Sequence, residues 1–87
     1  MKETSHAKVL ATVSLPTGNN EARIERLEIK ESGKVEIRFS WWKNGKFILR
    51  PLKLSEEDLI TLIHQGTVNQ VFSPSFIGNL TSAITHV

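Results

Sequence analysis

The residues best suited to chemistry in this chain lie between positions 35 and 58, VEIRFSWWKNGKFILRPLKLSEED. Trp42 and Phe47 supply aromatic rings, and Arg38, Lys43, Lys46 and Lys53 supply positive charge around them. Bases stack on rings while cations meet phosphates, so a surface of this kind suits a single-stranded nucleic acid. Trp41 and Trp42 are adjacent in a strand-like stretch, where neighbouring side chains point to opposite faces. One indole therefore reads as core and the other as exposed or at an interface. A plainer reading stays open beside this one. Trp42 opposite Phe47 is also an ordinary cross-strand aromatic pair, and helices could cover that face.

The remaining reactive residue types do not form a catalytic set. His6, His64 and His86 are far apart, and no HxxxH, HxH or DxD spacing occurs. No glycine-rich phosphate loop and no nucleophile elbow is present. The absence of cysteine excludes a disulfide framework, a thiolate zinc site and a cysteine nucleophile. Neither an enzyme nor a cofactor or metal is expected. No apolar run approaches the roughly 20 residues of a membrane-spanning helix, and the N-terminus is a poor signal peptide. The chain reads as soluble and cytoplasmic, or nucleoid-associated. A length of 87 residues, with 39% hydrophobic and 23% charged content, suits a single folded domain over 1–87, with residues 1–6 frayed. The net charge of +2 barely favours a polyanion, so the clustering of Lys43, Lys46, Arg50 and Lys53 along the hairpin matters more than the total.

The elements that must hold these residues can be read from spacing. Val35, Ile37, Phe39 and Trp41 alternate with Glu36, Arg38, Ser40 and Trp42, the period of a strand. Asn44-Gly45 fits a two-residue type I′ turn. That turn sets Lys43 against Lys46, Trp42 against Phe47, Trp41 against Ile48 and Phe39 against Arg50. One face then carries Val35, Ile37, Phe39, Trp41, Ile48 and Leu52 as core; the other carries Arg38, Ser40, Trp42, Phe47, Leu49 and Lys53. Pro51 marks an edge or a bend. Residues 8–15 form a strand with Val9, Ala11, Val13 and Leu15 on one face. Residues 22–31 are either a strand bulged near Arg26 or a short helix, and the turn Glu31-Ser32-Gly33-Lys34 favours the strand. Ser55 caps a first helix whose early acids, Glu56, Glu57 and Asp58, suit the helix dipole, with Gly66 as its stop. Leu59, Ile60, Leu62 and Ile63 form its apolar stripe. Ser73-Pro74 opens a second helix with Phe76, Ile77, Leu80, Ala83 and Ile84 on one face and no charge on the other. The fold class is α+β: a twisted antiparallel sheet of about four strands followed by two C-terminal helices. The two apolar helix faces exceed what one small sheet covers, so a homodimer joined through the helices is expected.

Residues 34–55 resemble the positive-cofactor-four type of transcriptional coactivator and its prokaryotic relatives. Ile37-Arg38 and Trp41 match its Ile-Arg-x-x-aromatic strand end, and Asn44-Gly45 falls in its turn. Arg50-Pro51 and Lys53 resemble its basic strand, and Leu54-Ser55-Glu56-Glu57 its helix entry. The similarity spans about residues 22–64, and the second helix lies outside it. The resemblance implies a curved four-stranded sheet, a helix-paired homodimer and single-stranded DNA binding linked to transcription or replication, with contact roles for Arg38, Trp41 and Lys53. The residues by themselves leave DNA and RNA open. They also leave a second reading open, a small protein-interaction module of the kind a phage or mobile element encodes, which meets a protein through the aromatic hairpin.

Overall fold

The structure is a computed structural model that describes residues 2–3 and 6–86, with side chains from His6 onward. Five strands, β1 (Lys2–Glu3), β2 (Ala7–Thr17), β3 (Asn20–Ile29), β4 (Val35–Lys43) and β5 (Lys46–Ile48), run in chain order as one antiparallel meander. Helices α1 (Glu56–Val68) and α2 (Pro74–Thr85) follow. The architecture is the α+β sheet-then-helices arrangement expected from the sequence, with the two-residue β1 added at one edge. Of the expected frayed segment, Met1, Thr4 and Ser5 lie outside the described residues, while Lys2 and Glu3 pair with Val9 and Lys8.

Both helices start where their caps dictate. The Ser55 hydroxyl accepts from the Asp58 N–H at 3.1 Å, and the Ser73 hydroxyl accepts from the Phe76 N–H at 3.1 Å, with Pro74 just inside α2. Such a cap satisfies a backbone donor that has no partner within the helix. Gly66 does not stop α1. The helix runs on to Val68, and the left-handed residue beyond it is Gln70, with φ 63°. Gly66 is instead buried under Phe72, whose Cε2 lies 2.7 Å from where a Cβ would stand. Its carbonyl accepts from the Val71 N–H at 2.8 Å, which turns the chain back over α1.

The principal core lies between α1 and one face of the sheet. Val13, Ala22, Ile24, Leu62, Val71 and Phe72 are buried there, with Ile37, Trp41, Leu52 and Leu54 packed around them. Burying a side chain such as Ile24 or Leu62 contributes about 1.5–3 kcal/mol relative to leaving it in water. A smaller cluster of Ala7, Val9, Leu27 and Ile29 sits on the opposite face. A bulge in β2 makes both possible. Val9 faces Leu27 and Ala11 faces Arg26, so Leu10 is the extra residue, and Val9 departs from the face of Ala11, Val13 and Leu15. The register of β3 with β4 is continuous, so the bulge expected in the strand near Arg26 lies instead in β2, across from Arg26 and Leu27. Ile24 and Leu27 are out of phase because each belongs to a different cluster.

The helices cover only part of their face. Val35 and Phe39, expected in the core, remain 44% and 45% exposed. The α2 stripe has no buried member, and Phe76 and Ile84 are exposed. No helix among the described residues is long and apolar enough to cross a membrane.

Candidate nucleic-acid interface

The hairpin forms in the expected register. Asn44 and Gly45 take φ of 51° and 76°, the left-handed pair that a type I′ turn demands, and Trp41, Trp42 and Lys43 face Ile48, Phe47 and Lys46. The two rings on the face away from the helices meet edge to face, with centroids 5.8 Å apart and planes at 78°. Trp42 Nε1 donates to the Ser40 hydroxyl at 2.8 Å, which fixes the indole.

A residue the sequence did not single out completes this face. Arg23 on β3 places its guanidinium 3.9 Å from the centre of the Trp42 ring and donates to Glu21 at 2.6 Å. A cation over an indole is attracted by the ring's negative face. Nothing local in the sequence marks Arg23; only the β3–β4 register, with Arg23 opposite Ser40, carries it to Trp42. Arg38 stands opposite Glu25 and donates to it from Nε at 2.8 Å and from Nη2 at 2.6 Å. Its guanidinium also lies 5.9 Å from the Phe47 ring centre. The cations nearest the rings are therefore each matched by a carboxylate.

The other expected site residues divide between the hairpin tip and the helix face. Lys43 and Lys46 flank the turn and are exposed. Lys53 does not join Trp42, because β5 ends at Ile48 and the chain turns sharply, with the Arg50 N–H donating to the Ile48 carbonyl at 2.9 Å. Arg50 consequently does not pair with Phe39. The turn carries Arg50, Pro51 and Lys53 around to Trp41, and with Asn20 and Ile48 they line a cavity of about 340 Å³. Trp41 Nε1 donates to the Pro51 carbonyl at 3.1 Å, so the indole forms a fixed wall. Among the described residues no carboxylate pairs with Arg50, Lys53, Lys43 or Lys46.

The arrangement thus offers two ring-bearing surfaces on opposite sides of one hairpin. The Trp42–Phe47 surface has aromatic area and internally balanced charge. The Trp41 surface is concave and carries unbalanced positive charge. The exposed lysines of the tip lie between them. In comparisons with protein-family models, curated proteins and solved structures, no match to this chain was found.

Proposed function

We propose that the chain binds single-stranded nucleic acid along the β4–β5 hairpin and does so as a homodimer. The observation that carries this reading is the cavity in which Arg50 and Lys53, both without a carboxylate partner, flank the indole of Trp41. A phosphate and an adjoining base are the chemical complement of that pair. Lys43 and Lys46 extend the charge across the tip toward Trp42 and Phe47, which supply further stacking area. Arg38 contributes by position, although Glu25 holds its guanidinium. The likeness of residues 34–55 to the coactivator family adds support from the sequence side.

Mobility of a labelled oligonucleotide, followed across a salt series, tests the proposal. Retardation at low salt that fades as salt rises is the expected result, because phosphate contacts release counterions. Failure of every oligonucleotide to shift at low salt would overturn it.

One observation favours a second reading. Glu21 and Glu25 neutralise the arginines beside Trp42 and Phe47, which makes that face more suited to a protein surface than to a row of phosphates. On this reading the aromatic hairpin is a protein-contact module. A hairpin that ignores oligonucleotides, yet loses a protein partner on Trp42→Ala, would decide for it.

A further inference from the structure

The two edges of the sheet are built differently. At one edge, among the described residues, β1 pairs with β2 at Lys8 and Val9, and β2 further on carries the bulge at Leu10 and Pro16, which has no N–H. Bulges and prolines keep an edge from pairing with another chain. At the other edge β5 pairs with Trp41, Trp42 and Lys43 and stops at Ile48. From Val35 to Phe39 the outer side of β4 meets no strand among the described residues, and it carries neither proline nor bulge.

The turn determines which backbone groups face outward there. Lys43 and Lys46 flank a two-residue type I′ loop and so form a hydrogen-bonded pair. Bonded and non-bonded pairs alternate along an antiparallel ladder, so Trp41 also points its N–H and C=O toward β5. Phe39, Ile37 and Val35 follow with the same period. Their backbone donors and acceptors lie on the free side.

The side chains along this edge complement their own sequence. Laid antiparallel to itself about Ile37, the segment sets Val35 against Phe39 and Glu36 against Arg38, each twice, and Ile37 against its copy. Val35 and Phe39 are the two core-face residues of β4 that the helices leave exposed. Glu36 is exposed, and Arg38 keeps 34% of its side chain open while bound to Glu25. Apolar residues meet apolar residues on one face and opposite charges meet on the other, the isologous matching of a two-fold contact.

We propose that two copies of this chain pair through the outer edge of β4, antiparallel about Ile37, to form one continuous sheet. Backbone bonds at Val35, Ile37 and Phe39 supply the ladder, and two Glu36–Arg38 contacts fix its register. The exposed stripe of α2 offers apolar area but no such register. The pairing does not depend on nucleic acid. Both Trp42–Phe47 surfaces then lie on one side of a shared sheet, and only their use as one binding track rests on the nucleic-acid reading.

The test uses the full chain without nucleic acid. Light scattering at tens of micromolar should give twice the 9.8 kDa chain mass. The amides of Val35, Ile37 and Phe39 should be protected from hydrogen exchange, which needs no variant. Glu36→Arg and Val35→Lys, both at exposed positions, should each raise the dimer dissociation constant at least tenfold with the circular dichroism spectrum retained. A monomer mass, rapid exchange at those three amides, or a dimer broken by Leu80→Glu but not by Glu36→Arg would overturn the proposal. Pairing without oligonucleotide binding would leave it standing and remove the nucleic-acid reading alone.

Discussion

Arg38 donates from two nitrogens, Nε at 2.8 Å and Nη2 at 2.6 Å, to a single oxygen of Glu25 directly across the β3–β4 pair. Glu25 is 3% exposed and Arg38 is the open end of the pair. A buried carboxylate is tolerated only when its charge is met, so this arginine is structural before it is anything else. That relationship makes Arg38→Ala a poor probe of binding. It should destabilise the fold by about 2–3 kcal/mol, toward the low end of what breaking a buried pair costs, because the arginine side remains partly solvated. Chemical denaturation measures it.

Glu25→Gln is the more informative change. The amide keeps an acceptor for Arg38 but removes the charge that neutralises it. Oligonucleotide affinity at low salt should rise, and the slope of log affinity against log salt should steepen by about 0.7, the increment of one added phosphate contact on a single strand. An unchanged slope would mean that Arg38 does not face the phosphates.

Trp42→Ala should weaken oligonucleotide binding by roughly tenfold or more, since a stacked base is worth about 1–3 kcal/mol. Arg23 occupies one face of the indole, so on the proposed function a base would stack on the other. Arg50→Ala and Lys53→Ala should each reduce the salt slope by about 0.7. Fluorescence anisotropy across a salt series reads all three.

Gly45→Val should cost about 1 kcal/mol or more, because a β-branched residue is strained at a φ of 76°. Thermal unfolding measures the loss. Since the turn sets the strand register, the variant should also lower the protection of the Trp41 and Lys43 amides.

Gly66→Ala sets two effects against each other. Alanine favours a helix over glycine by about 1 kcal/mol. Overpacking a filled core costs about 1–3 kcal/mol, and here the added methyl would lie 2.7 Å from Cε2 of the buried Phe72. The expected net result is destabilisation of about 1 kcal/mol. In a Phe72→Leu background the same change should cost less, and a double-mutant cycle gives the coupling.

Local chemistry by itself determined much of this molecule. Period-two alternation over 35–43, Asn44-Gly45 at the turn, and serine caps at 55 and 73 are decided within a few residues, so the hairpin register and the helix starts could be read directly. The tertiary structure alone decided which neighbours those elements receive. The bulge at Leu10 shifts the phase of β2, so that Val9 meets Leu27 on one face while Val13 meets Ile24 on the other. Gly66 looked like a stop, yet it is the point at which Phe72 reaches α1, a contact invisible from the helix alone. Trp41 and Lys53 meet only because the chain turns at Arg50, and Arg23 reaches Trp42 only through strand pairing. Propensity and capping act over one or two turns of chain. The charge balance of a surface depends on contacts between segments that the sequence keeps apart, and those form only when the core closes.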